Sequence, residues 1–255
     1  MKMTYLHLLR NEYMKQFKRP RIWMFIGFMI VMNSIAGLFF KLLFRQTDFT
    51  FWDYIHASSY LLLVIQFICI IIAGDIVSSE YERGTVKLLF TRPIKKLHIL
   101  SSKYVMTLYC ILFFVLMQFF MSGLIGLIFF SDTLLALSEQ VLISLGSYLF
   151  TFIEMIVICT VAFCLSAITR SSVISIAVSI FLVFTSSIVI TLLQHYKYEA
   201  GKYLLFANSN LMPYFFGDPL FEGMTLVSSI VNILVHFIFL FFLSYIFIAK
   251  RDVHV

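Results

Sequence analysis

The chain has 255 residues, of which 61% are apolar and only 13% charged, and its mean hydropathy is +0.97. Soluble domains run near half apolar and a quarter charged, and disordered chains are more polar still, so both classes are excluded. Long continuous apolar runs, rather than short alternating segments, exclude a β-barrel and leave an all-α integral membrane protein, in which a net charge of +6 reports orientation rather than nucleic-acid binding.

Residues 3–19, within a basic segment 1–21, are too polar to cross a bilayer. Leu6, Leu9, Tyr13 and Phe17 recur at helical spacing on one side, and Arg10, Lys15 and Lys18 lie largely elsewhere. This pattern predicts an amphipathic helix in the cytoplasmic interface. Pro20 separates it from the first predicted span, 22–40. Six basic residues precede that long run and no small-residue cleavage site follows, so it is expected to be a retained helix and not a signal peptide. The second predicted span is 57–74, about 20 residues being enough to cross the hydrocarbon core.

The next loop reads Ser78-Ser79-Glu80-Tyr81-Glu82-Arg83-Gly84-Thr85-Val86-Lys87-Leu88-Leu89-Phe90-Thr91-Arg92-Pro93-Ile94-Lys95-Lys96. The second helix is expected to run on to about Arg83, where Gly84 suits the left-handed position that ends a helix. Thr85 can cap a short new helix, and Arg92-Pro93 stops it, which predicts a helix over 84–92 across the cytoplasmic mouth. Its basic residues could bind anionic headgroups. The acidic pair Glu80 and Glu82 beside Arg83 points instead to a partner protein.

Further spans are predicted over 104–130, 141–169, 171–194 and 224–249. Glu154 interrupts the fourth. A charge at that depth costs at least a few kcal/mol, so it is expected to face the bundle interior or a wet cavity, or to be held neutral; substrate contact and a hydrogen-bonded structural joint both fit. His236 in the sixth span fits a packing residue or a polar site. One carboxylate and one histidine are few for an ion-coupled relay. Cys69, Cys110, Cys159 and Cys164 all fall inside spans and read as buried small side chains. Ser122/Gly126 and Ser175/Ser179 have the spacing that lets helices approach closely. Residues 195–223 form a long external loop rich in interfacial aromatics.

Fifteen of the nineteen Lys and Arg residues fall on the side of the two termini, which places both termini in the cytoplasm. No Walker A loop, H-E-x-x-H or G-x-S-x-G occurs, so an ATP-driven process would need a separate ATPase chain, and no catalytic, metal or cofactor site is expected.

The run Glu82-Arg83-Gly84-Thr85-Val86-Lys87-Leu88-Leu89, followed by Thr91-Arg92-Pro93-Ile94 and Ser102-Lys103, resembles the permeases of ABC-2 type transporters. The layout of an amphipathic helix, six spans and a long loop before the last is similar as well. After the proline that family often has a Ser-Arg pair, where this chain has Lys95-Lys96. The resemblance implies a transport subunit of the bacterial cell membrane, not itself an enzyme, with ATP and Mg on a partner ABC ATPase. It implies that Glu80, Glu82, Arg83, Gly84, Thr85, Lys87, Leu88, Leu89, Arg92 and Pro93 form a coupling helix, and that short re-entrant helices lie in the external loop. A second copy or a paralogue would complete the pathway, surrounded by membrane lipid. The implied cargo is an amphipathic peptide, drug or lipid, with the staphylococcal phenol-soluble modulins among the peptides. The residues alone also leave open an ATP-independent channel or secondary carrier, and a non-transporting assembly or sensor subunit.

Overall fold

The computed structural model describes residues 5–44, 49–85, 95–130 and 139–250, apart from the side chains of Glu139 and Lys250. Among these residues all regular structure is helical. Helix α1 (Tyr5–Phe17) leads into α2 (Pro20–Leu43). Helices α3 (Phe51–Ser59) and α4 (Leu62–Asp75) are followed by the single turn α5 (Ser78–Glu82). Then come α6 (Lys96–Phe130), α7 (Glu139–Thr169) and α8 (Ser172–His195), a 3-10 turn (Glu199–Tyr203), two short helices α9 (Leu205–Ser209) and α10 (Pro213–Phe216), and α11 (Leu226–Lys250). Six segments are long and apolar enough to cross a membrane: α2, α3 with α4, α6, α7, α8 and α11.

Two boundaries differ from expectation. The second span starts at Phe51, not at residue 57. Asp53, which reads as a break, is used as a cap: Thr50 N–H and Oγ1 both donate to its carboxylate, and its own N–H donates to Thr50 Oγ1. This span also tightens at Tyr60 and Leu61, whose N–H groups bond three residues back, while Ser58 and Ser59 hydroxyls donate to carbonyls of the same turn. The third span begins at Lys96, eight residues before residue 104. At 1.5 Å per residue its 35 residues extend about 52 Å, so its first turns project beyond a hydrocarbon core about 30 Å thick. The helix expected over 84–92 lies largely outside the described residues, where only Gly84 and Thr85 are seen, in a turn; Gly84 has φ 68°.

Helices α4, α6 and α7 form the centre, and α2, α8 and α11 pack around them. The core includes Ile72, Cys110, Phe114, Met155, Cys159 and Phe163. All four cysteines are free and buried. Apolar side chains gain little by leaving lipid for protein, so close contact and polar pairs must hold such helices together. Both are present. The Ser175 hydroxyl donates to the Gly74 carbonyl at 2.8 Å, and a Cβ at Gly74 would meet Ile176 at 2.7 Å. Ser175 and Ser179 are the buried residues of α8, and Ser122 and Gly126 likewise pack within this chain. At mid-bundle Asn33 and Gln118 exchange two amide hydrogen bonds of 2.8 and 2.9 Å, and Tyr148 bridges Ser58 and Ser122 at 3.0 Å each.

Residues 195–223 fold back over one end. Phe221 covers Gly201, Leu211 packs with Phe150 and Ile233, and Asn208 and Ser229 link α9 to α11 by a 2.7 Å hydrogen bond.

Candidate functional site

Helix α1 presents an unexpected face to the bundle. Leu8, Glu12 and Gln16 are its buried residues, whereas Leu6 and Tyr13 of the predicted apolar side are exposed. Tyr13 and Phe17 stack on each other and pack edge-on against Tyr109, with Phe17 also against Phe113. The apolar side is thus turned outward and along α6, and the polar stripe inward.

That inward stripe meets a buried ion cluster. Lys103 of α6, 4% exposed, donates to Glu12 Oε2, Glu80 Oε1 and the Ile76 carbonyl, each at 3.1 Å. Lys15 Nζ lies 2.7 Å from Glu80 Oε1 and 3.4 Å from Glu12 Oε1. The Thr85 hydroxyl donates to the other Glu80 oxygen. Two ammonium groups therefore balance two carboxylates, as burial requires. Burial alone would raise the Glu80 carboxyl, but Lys103, Lys15 and Thr85 outweigh it and hold the group down to about 2. Burial likewise works against the Lys15 ammonium, and Glu12 and Glu80 reverse this, leaving it raised. Nearby, Arg19 and Arg21 both pair with Asp75 at the end of α4 and so fix the Pro20 junction.

Helix α5 is the node of this arrangement. The Ser78 N–H donates to Ser166 Oγ of α7 at 2.9 Å. Glu80 holds α1 and α6. Glu82 accepts from the N–H and hydroxyl of Ser172, the first residue of α8, and so satisfies a free N-terminal donor of that helix. Tyr81 lies under the Arg170 guanidinium, 4.5 Å away, where Arg170 has φ 57° at the reversal from α7 to α8. Five residues thus join four helices at the foot of the loop.

Of the residues expected to contact an ATPase, Glu80 is turned into the bundle and bound there, Glu82 is exposed but tied to Ser172, the Thr85 hydroxyl donates to Glu80, and Arg83 and Gly84 face outward. Lys87, Leu88, Leu89, Arg92 and Pro93 lie outside the described residues. Glu154 and His236 are not brought together. Glu154 lines a cavity between the second and fourth spans, whereas His236 bonds through Nδ1 to the Asn232 carbonyl in its own helix. Sequence reasoning missed Lys103 and Glu12. Lys103 reads as the basic flank of an apolar run, and its partner stands 91 residues away; the available signal was a lone carboxylate, Glu12, in an otherwise basic helix.

The family described as "Protein of unknown function (DUF2705)" matches residues 21–254. The chain is similar to "Uncharacterized membrane protein YdbK" of Bacillus subtilis (strain 168), 28% identical over 249 residues that cover 95% of this chain and all of that protein. It is also similar to "Uncharacterized protein YhcI" of the same organism, 34% identical over 222 residues, 82% of this chain and 71% of that protein. These findings correct the resemblance to the ABC-2 type permeases: the matching family is DUF2705, and no match to the ABC-2 family is found. The resemblance rested on one loop and on a six-span layout. A glycine ending a helix and a proline before the next span are demands of any such loop, and six spans are a common count. With its six apolar helices and a relative so named, the chain is a multi-pass membrane protein.

Proposed function

We propose, from the premise that this chain belongs to the DUF2705 family, that it is the membrane subunit of an ATP-driven exporter whose ATPase is a separate cytosolic chain. The observation that carries this reading is the anchorage of α5. A loop that merely joins two spans needs no ties to α1, α6, α7 and α8, but a loop that receives force from a partner does. A push at the segment beyond Gly84 would move those four helices together. Residues 84–92, with Lys87, Leu88, Leu89, Arg92 and Pro93, supply the docking surface for the ATPase. Helix α1 lies in the cytoplasmic interface of a bacterial cell membrane, its exposed Leu6 toward lipid, and the basic flanks keep both termini inside. A second copy or a related chain encloses the pathway with this one, and the short helices of 195–223 cap its outer end. ATP and Mg belong to the partner, and this chain catalyses no reaction. The cargo is amphipathic: a peptide, drug or lipid.

The test is to purify the chain in mild detergent from cells that carry its genomic neighbours and to measure ATP hydrolysis. Hydrolysis should co-purify with the chain, and Leu88→Glu or Leu89→Glu should remove it without changing the unfolding temperature. A well-folded chain that never retains ATP hydrolysis, or variants that retain it fully, would sink the proposal.

A further inference from the structure

The tightened turn of the second span borders a cavity of about 210 Å³. His56, Ser59, Tyr60, Leu63 and Gln66 line it on one side, Ser147, Phe150, Thr151 and Glu154 on the other, and Asn210 and Met212 close its end. That is many times the roughly 10–15 Å³ a single water needs, so it is roomy for a water site.

Two side chains in it lack partners. Among the described residues no hydrogen bond or ion pair reaches the Glu154 carboxyl. The same holds for the Gln66 amide, although Gln66 is only 5% exposed. Neither polar group is sealed away: both face the open cavity, where water or a ligand would supply their hydrogen bonds. The wall is rich in acceptors. The Ser59 and Ser147 hydroxyls spend their protons on the His56 and Ile143 carbonyls of their own helices, which leaves lone pairs for the cavity. A carboxyl that can give up its proton to pair with a cation, free acceptors and the rings of Tyr60 and Phe150 suit a cation. Apolar walls at Leu63, Phe150 and Met212 suit a carbon chain on that cation. An inorganic ion wants several oxygen ligands at once, and no cluster of three His, Cys, Asp or Glu is found among the described residues. Tyr60 and Leu63 are exposed at the rim, so the cavity opens sideways, where an amphipathic molecule held in the bilayer would enter.

We propose that this cavity is a binding site for an amphipathic organic cation, with the ammonium or guanidinium group on Glu154 and Gln66 and the apolar portion along Leu63 and Met212. As a site it stands on geometry alone; as a cargo site it rests on the exporter reading.

The test uses the full chain in lipid nanodiscs and titration calorimetry with n-hexylammonium, n-hexylguanidinium and the neutral n-hexanol. Both cations should bind at least tenfold tighter than hexanol. Glu154→Gln should remove that preference and leave the hexanol titration unchanged. Leu63→Trp, at an exposed rim position, should fill the cavity and abolish cation binding while the carboxylate remains, which separates site loss from misfolding. Equal affinity for cation and alcohol, an unaffected Glu154→Gln variant, or saturation by sodium ions alone would each overturn the site. Cation binding by a chain that carries no co-purifying ATPase would keep the site and refute only the exporter reading. ATPase co-purification with no cation preference would do the reverse.

Discussion

The charges at the α1 end of the bundle make stability depend on pH in a defined way. Glu80 is held at about 2, below its ordinary 4.5, so its contribution is complete above about pH 4.5 and disappears as pH falls through about 2. Lys15 is raised above its ordinary 10.5, so its contribution is complete below that value and is lost as pH rises through the folded value. Because both groups hold α1 against the bundle, the amides of residues 5–17 should stay protected between about pH 5 and pH 10. They should open at either extreme. Hydrogen exchange corrected for its intrinsic pH dependence checks this; protection unchanged down to pH 2 would contradict the ion cluster. Only part of this chemistry is legible in the sequence. Glu154 stands out as the one charge in an apolar run, but its cavity also needs His56 and Gln66, which lie in another span and carry no mark of their own. Lys103 looks like a topogenic flank because nothing local distinguishes a paired lysine from a solvated one.

At the scale of elements, apolar length reads directly from the sequence, since six apolar runs each long enough to cross must become helices. Ends do not read as well. Asp53 marks a break by charge but serves as a cap, and Lys96–Lys103 looks like loop but is helix. The facing of a helix is harder still, because in lipid a few small or polar residues decide it. Helix α2 buries only Ile22, Met29, Asn33 and Gly37. A Cβ on Gly37 would run into Ile125 and meet Phe129 at 3.2 Å, whereas Gly27 has nothing within 4 Å. Gly37→Leu should therefore cost about 1–3 kcal/mol by overpacking and loosen α2 from α6. Gly27→Leu should be close to neutral. Unfolding in mixed micelles measures both; equal effects would mean that α2 does not pack on α6 through this stripe.

Across the whole molecule, a tightly packed centre of α4, α6 and α7 carries a clamp at one end and a cavity in its opposite half. The outer faces of α2, α8 and α11 remain apolar and exposed, as lipid or a second subunit requires. Helix α7 is common to both features: its last turn receives α5 through Ser166, and Glu154 lies about three turns earlier on the same helix. On the exporter reading, a movement of α5 would be conveyed toward the cavity by α7 and, through Glu82, by α8, which packs against α4 and α7. The most direct test of that coupling is ATP-dependent export of a hydrophobic cation from vesicles that hold the purified complex, comparing the parent chain with Glu82→Ala. This substitution cuts only the exposed tie between α5 and α8, so ATPase binding should survive. The account predicts that ATP hydrolysis continues while export falls at least tenfold. Export at the parent rate from the Glu82→Ala complex would contradict it.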